Sequence, residues 1–138
     1  MKITKRTDYA IRLIADLAKQ PDCCLGLRSL SDRHGVTYAF ARTVQQGLLK
    51  AGIIRACRGI NGGIGLARPL DQITVLEVFE AAQGTLDDTF DIEDTSWYGL
   101  DDDCLSDQVW ASAKQVMSKH FSSITMQDLM EKRIKSAS

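Results

Sequence analysis

Residues 48–69 constrain the fold more than any other part of this chain. A helical pattern ends at Gly52, and two short apolar runs follow it, at 53–57 and 64–67. A glycine-rich turn over 58–63 separates the runs, and Pro69 ends the second. Short apolar runs on either side of such a turn predict a two-stranded β-hairpin. The chain should therefore contain a hairpin directly after a helix.

Three helices are predicted before the hairpin. The first begins after Thr4, a candidate N-cap, and ends at Pro21. The second runs over about 27–34 and ends at Gly35, and the third runs over about 37–51. Two helices joined by a tight glycine turn are typical of a helix-turn-helix, and a hairpin after the second of them is a wing. The predicted fold class is mainly α with a small β-hairpin wing, a winged helix-turn-helix.

The third helix has two different faces. Phe40, Val44 and Leu48 recur every four residues and are expected to pack inward. The opposite face is polar and free of acidic residues, which suits a major groove, although a merely solvated face would look the same. There Arg42 could donate two hydrogen bonds to guanine, and Gln46 could pair with adenine. The candidate DNA-contacting residues on this helix are Thr37, Tyr38, Ala39, Arg42, Thr43 and Gln46.

The turn of the hairpin supplies further candidates. Its glycines would let the tip approach a nucleic-acid backbone, and Arg58 could enter a minor groove or hold a phosphate. Asn61 and Gly62 are the other candidate contacts. A nucleotide-binding phosphate loop is not indicated, because the Gly-Lys-Ser/Thr ending is missing and a strand follows instead of a helix.

Charge is distributed very unevenly along the chain. Residues 1–69 hold 12 Lys and Arg against 4 Asp and Glu, and residues 70–138 hold 5 against 14, giving +8 and −9 and the net charge of −1. The basic half predicts a polyanionic partner, double-stranded DNA in the context of a winged helix. No apolar run is long enough for a membrane span, and no signal peptide is recognised, so a cytoplasmic location is expected.

The helical pattern in the acidic half, residues 70–138, predicts an oligomerisation element. A helix capped by Thr74 ends at Gly84, and an acidic loop over 85–103 precedes a long helix over about 105–121. A last helix begins at Thr125 and continues to about 133. The long helix has an apolar stripe that suits pairing with a second copy, so a homodimer is expected. Its members are Val109, Ala113, Val116, Met117 and His120, with Trp110 beside them. The predicted division is 1–84 for DNA binding, 85–103 for a sensor-type loop and 104–138 for dimerisation and the last helix.

The four cysteines, Cys23, Cys24, Cys57 and Cys104, are expected to be reduced in a cytosolic protein. None has Cys-x-x-Cys spacing, so a zinc site is not indicated. An enzyme is not expected either, because no nucleophile–base pair or metal triad occurs at recognisable spacing. A winged protein-interaction module without DNA binding is the remaining alternative class.

Several motifs together resemble the Rrf family of winged-helix regulators, of the IscR and NsrR types. They lie at 7–12 (Thr-Asp-Tyr-Ala-Ile-Arg), 49–54, 58–63, 66–69, 73–78 and 123–129. The resemblance implies a homodimer held by the long helix, two winged domains on a palindromic operator, and Arg58 in the minor groove. It also implies an iron–sulfur cluster bound by three cysteines before the long helix.

The chain departs from the family pattern at those cysteines. Only Cys104 stands where a ligand is expected, and two of the three usual cysteines are absent. Cys104 could be a relic of a lost cluster, or a redox-reactive thiol. It could also anchor an unusual metal or cluster site with non-cysteine ligands from 101–103, His120 or the partner's Asp8, a position that completes the cluster in some relatives.

Overall fold

The computed structural model describes residues 3–59, 62–89 and 106–132. Three helices come first, followed by a hairpin, a 3₁₀ turn at Leu70–Gln72 and four more helices. The helices are α1 (Lys5–Ala18), α2 (Leu27–Arg33), α3 (Tyr38–Lys50), α4 (Val75–Gln83), α5 (Leu86–Thr89), α6 (Asp107–Ser122) and α7 (Met126–Met130), and the strands are β1 (Ile54–Cys57) and β2 (Gly63–Leu66). This order confirms the predicted winged helix-turn-helix.

The hairpin is antiparallel and pairs Ile54 with Leu66 and Cys57 with Gly63. A third segment joins it at Leu25, which exchanges two backbone hydrogen bonds of 2.9 Å with Ile64. The wing is thereby attached to the loop between α1 and α2 as well as to the end of α3.

One continuous core holds α1, α3 and the hairpin together. Side chains of α1 meet Val44 and Leu48 of α3, and Ile53 and Ile64 enter the same cluster from the hairpin. Phe40 lies at its edge, half-buried, whereas Val44 and Leu48 are fully buried. The predicted inward face of α3 is therefore confirmed, and apolar burial fixes its rotation relative to α1.

Local capping residues set the ends of helices α2 and α3. Thr37 is the N-cap of α3, and its Oγ1 accepts a hydrogen bond from the backbone N–H of Phe40. Gly35 and Gly52 have φ values of 64° and 72°, as turns of this kind require. Thr4 precedes α1 as predicted, but its hydroxyl makes no cap and instead hydrogen-bonds to the side-chain oxygen of Gln83, 3.2 Å away.

The second half begins with a complete capping box in which Thr74 and Glu77 exchange hydrogen bonds. Helix α6 lies against α4, and the rings of Phe79 and Phe121 are 5.6 Å apart. The acidic segment differs from prediction at its start, because Leu86–Thr89 is a short helix rather than loop. The last helix ends at Met130, earlier than predicted.

No helix among the described residues is long and apolar enough to cross a membrane.

Candidate nucleic-acid interface

The polar face of α3 is open to solvent. Ala39, Arg42, Thr43 and Gln46 are all exposed, and Thr43 donates a hydrogen bond of 3.1 Å to the backbone oxygen of Ala39. Arg42 and Gln46 make no hydrogen bond to another described residue that would turn them inward. Their donors and acceptors are therefore presented outward from a helix whose other face is anchored in the core.

Tyr38 stands at the exposed start of α3 and packs against Arg28 of α2. The Arg28 guanidinium lies 4.5 Å from the centre of the Tyr38 ring, a cation–π contact. Arg28 therefore adds a positive charge beside the candidate reading face. Sequence reasoning missed Arg28, because no spacing on α2 indicates which residue of α3 it will meet.

A buried carboxylate fixes the end of α2 to α1. Asp16 accepts a hydrogen bond from Nε2 of His34 at 2.6 Å, and Arg33 lies 3.4 Å from its other oxygen. Since an ionised carboxylate only accepts hydrogen bonds, Nε2 carries the proton. Burial raises the pKa of Asp16, but the hydrogen bond and charge of His34, with Arg33 and Lys19, outweigh it and hold the pKa below its ordinary value.

His34 was expected to be a capping or surface residue, and it occupies the C-cap position of α2. It is half-buried, and its ring packs edge-on against Tyr9, which also contacts Phe40 of α3. Burial, followed by the charge of Asp16, raises the pKa of Tyr9. This cluster contributes to the position of α3 relative to α1. Its residues are far apart in the sequence, so the sequence alone does not indicate that they will be in contact.

The wing presents Arg58 in an exposed position at the end of β1. Gly59 has φ of 114°, and the N–H of Gly62 donates to its carbonyl at 2.9 Å. A Cβ at Gly62 would lie 2.9 Å from the Cys57 oxygen, so a side chain there would strain the turn. Asn61 lies outside the described residues.

Arg68 fastens the far end of the hairpin. Its Nε donates to the carbonyl of Gly52, and its Nη1 donates to the carbonyl of Gln72 and to Glu77 at 2.9 and 3.1 Å. Burial raises the pKa of Glu77, but hydrogen bonds from Thr74 and Arg68 outweigh it and lower that pKa. The wing is thus tied to both α3 and α4.

The cysteines contradict the expectation of four reduced thiols. Cys24, in the loop before α2, forms a disulfide with Cys57 at the end of β1. The side chain of Arg55 lies against this disulfide and donates from Nε to the Leu66 carbonyl. Cys23 is a free, exposed thiol.

The described residues do not form a site that fits the iron–sulfur cluster implied by the resemblance. Asp8 is exposed and pairs with Arg12 at 2.8 Å, and His120 packs against Phe121. No group of three or more His, Cys, Asp or Glu capable of holding a metal occurs in the described ranges. Cys104 and residues 101–103 lie outside them. With Cys24 and Cys57 joined to each other, the chain also lacks three free cysteines near one another in sequence.

A helix-turn-helix with an exposed, acid-free second helix and a two-stranded wing defines a winged-helix DNA-binding protein. The chain belongs to the Rrf2 family, whose profile, described as "Iron-dependent Transcriptional regulator", matches residues 3–132. It is therefore a transcription regulator of the DNA-binding helix-turn-helix type, as the sequence motifs indicated.

Individual relatives agree with this assignment. The protein slr0846 of Synechocystis sp., named as a candidate HTH-type transcriptional regulator, is 30% identical over 130 residues, covering 94% of this chain and 87% of the relative. The regulator NsrR of Shouchella clausii is 34% identical over 88 residues, covering 63% and 59%. The solved structure of CymR, described as the global cysteine regulator of B. subtilis, superposes with a TM-score of 0.74 at 20% identity, covering 96% and 98%.

Proposed function

We propose that the chain is a homodimeric, sequence-specific transcription regulator, most simply a repressor, that reads a palindromic operator. Helix α3 lies in the major groove and the wing over 58–63 lies in the minor groove. The observation that carries this proposal is the exposed, acid-free face of α3, followed directly by a hairpin with Arg58 at its turn.

The residues of α3 divide into two roles. Arg42 and Gln46 carry paired donors and acceptors that suit guanine and adenine edges, and the Ala39 methyl group suits a thymine methyl. Thr37, Tyr38 and Thr43 lie where hydroxyls reach phosphate oxygens. In the wing, Arg58, Asn61 and Gly62 contact the minor groove or its backbone.

Helix α6 supports the homodimer. It has no buried residue in the single chain, and Val109, Trp110 and Val116 are 58%, 41% and 64% exposed. Burying exposed apolar side chains stabilises an assembly, and a second copy of the chain would present the same apolar stripe to cover them. Two-fold symmetry then places two α3 helices on two half-sites, which makes the operator palindromic.

The domain organisation follows from these roles. Residues 1–84 bind DNA, 85–103 form an acidic sensor-type segment, and 104–138 hold the dimerisation helix and the last helix. The negative charge of the second half also keeps the duplex on the basic face of the first half.

Salt dependence of DNA binding tests the proposal. Affinity for the DNA upstream of the protein's own gene should fall steeply with salt, with a log–log slope of about −0.9 per phosphate contact.

Arg42→Ala should relax base preference, costing about 1–3 kcal/mol on the preferred sequence. Arg58→Ala should weaken binding to all sequences. Lys119→Ala, which removes an exposed charge from α6, is the matched control and should bind as wild type. Absence of salt-sensitive binding to any DNA fragment would contradict the proposal.

A metal-responsive regulator is the alternative with an observation in its favour, since the family profile is described as iron-dependent. It would use Cys104 with Asp8 and His120, and not three cysteines. Anaerobic purification with a visible absorption spectrum and iron and sulfide analysis decides it. Iron and sulfide in cluster proportions would establish this alternative, and colourless, iron-free protein would reject it.

A further inference from the structure

Cys24 and Cys57 bring two distant parts of the DNA-binding domain together. They are separated by 33 positions in the sequence, and their Cα atoms lie 6.2 Å apart, within the range that a disulfide spans. Cys24 lies in the loop before α2, and Cys57 ends β1 immediately before Arg58 of the wing. The bond therefore joins the loop before the helix-turn-helix to the turn end of the wing.

Glycines in β2 allow this approach. The hairpin register pairs Arg55 with Gly65 and Cys57 with Gly63, so these four residues share one face of the ribbon. A Cβ at Gly63 would lie 2.1 Å from the carbonyl oxygen of Leu25, and one at Gly65 would lie 3.2 Å from the Arg55 guanidinium. Larger residues in β2 would hold the Cys24 loop away from β1.

Arg55 provides the electrostatic setting of the pair. Its Nη1 lies 3.2 Å from Sγ of Cys57 and 3.6 Å from Sγ of Cys24, and its Nε is held by the Leu66 carbonyl at 3.1 Å. A guanidinium fixed beside sulfur favours the thiolate over the thiol once the bond is reduced. Both cysteines are half-buried, so they remain accessible to small reagents. A reactive thiolate with a second cysteine within reach is the arrangement of a redox-active pair.

We propose that Cys24 and Cys57 form a reversible redox site, oxidised by hydrogen peroxide and reduced by small thiols, that sets the DNA affinity of the wing. The coupling to DNA rests on the proposed function, whereas the thiol chemistry does not.

The oxidation proceeds in two balanced steps. One thiolate attacks a peroxide oxygen, the O–O bond breaks, hydroxide leaves, and the sulfur becomes a sulfenic acid. The second cysteine attacks that sulfur, so that the S–S bond forms, the S–O bond breaks and water leaves. In total, two thiols and one hydrogen peroxide give one disulfide and two waters. Two equivalents of a small thiol reverse the change and are themselves oxidised to a disulfide.

The oxidised form should bind DNA more tightly. The disulfide holds the turn end of the wing against the loop before α2, so less conformational freedom is lost when the wing enters the groove. Reduction leaves the Leu25–Ile64 hydrogen bonds and removes the covalent tether. We expect reduced protein to bind about three- to tenfold more weakly, mainly through faster dissociation.

The test compares full-length protein reduced with a phosphine under anaerobic conditions and the same protein after stoichiometric hydrogen peroxide. Alkylation and peptide mass spectrometry should show a Cys24–Cys57 link, lighter by two hydrogens, that returns to two free thiols with a small thiol. Fluorescence anisotropy with the DNA upstream of its gene then measures both forms at one salt concentration.

Single variants separate the site from other thiols. Cys24→Ser and Cys57→Ser should abolish the change in affinity, while Cys23→Ser, the adjacent free cysteine, should retain it. A wild-type protein that forms no Cys24–Cys57 link, or a Cys24→Ser protein that responds as wild type does, would overturn the redox site. A link that forms and leaves affinity within about twofold would overturn the coupling. If neither form binds any DNA, the proposed function and the coupling both fail, while the mass measurement still decides the redox site.

Discussion

Replacing Asp16 by alanine should destabilise the protein through the loss of one hydrogen bond in particular. The Asp16 side chain is only 6% exposed and has three basic neighbours, Lys19, Arg33 and His34. Lys19 and Arg33 are 71% and 55% exposed, so water screens their attraction and they contribute little. His34 is 17% exposed and 2.6 Å away, so the removal of its acceptor is the change that matters.

The size of the loss in stability follows from the Nε2–H group of His34, which is largely buried and would be left without a hydrogen-bond acceptor. Such a loss costs about 1–3 kcal/mol, and a central value of about 2 kcal/mol fits a group that retains some solvent. For a chain of this size each kcal/mol corresponds to roughly 2–6 °C in melting temperature, so Asp16→Ala should melt about 4–12 °C below wild type.

The pH dependence has a definite sign. The pKa of Asp16 is lower in the folded protein than in the unfolded chain, so the unfolded chain binds more protons in the acidic range. The stabilisation by the carboxylate is therefore fully present above the unfolded value, about 3.9, and is lost as pH falls through the folded value. The gap in stability between wild type and Asp16→Asn should shrink on acidification below about pH 4.

Urea unfolding of a double-mutant cycle with Asp16→Ala and His34→Ala provides the measurement. We expect a coupling energy of about 1–2 kcal/mol between the two positions. Lys19→Ala is the control and should change stability by less than about 0.5 kcal/mol. A coupling below about 0.5 kcal/mol, or a Lys19→Ala effect equal to that of Asp16→Ala, would refute the reasoning.

Three further predictions concern other contacts. Gly47→Ala should lower the free energy of unfolding by about 1–3 kcal/mol in urea melts, despite better helix propensity, because its Cβ would lie 2.3 Å from the Ala81 carbonyl oxygen. Gly26→Ala has open space around it and should cost less, because it changes only the N-cap residue of α2. Glu77→Ala should cost about 1 kcal/mol in the same melts by removing the capping box and the partner of Arg68, and a Tm equal to wild type would contradict this. If the proposed homodimer forms through α6, Val116→Glu should yield folded monomer by sedimentation, whereas Ala111→Glu, on another side of α6, should keep the mass of the proposed dimer.

The order of the elements and the exposed polar face of α3 were predictable from sequence, because their signals are local. Thr37 and Gly52 bound α3 by their own capping chemistry, and the spacing of Val44 and Leu48 determines which face is buried. The wing could be predicted for the same reason, since turn residues and neighbouring strands are contiguous in the chain. The family motifs then extended the prediction to the class of protein.

Contacts between distant residues were decided only by the tertiary structure. Thr4 was a sound N-cap by sequence, yet folding brings Gln83 to its hydroxyl. Nothing in the spacing of Asp16 and His34, or of Cys24 and Cys57, indicates that they will meet. Their separations are set by how α1 packs on the helix-turn-helix and how the glycines of β2 admit the loop. Local chemistry therefore determined which elements form and which face of α3 stays polar. The tertiary structure alone decided which polar and sulfur atoms hold those elements in place, because such pairs exist only after the apolar core has fixed their distance.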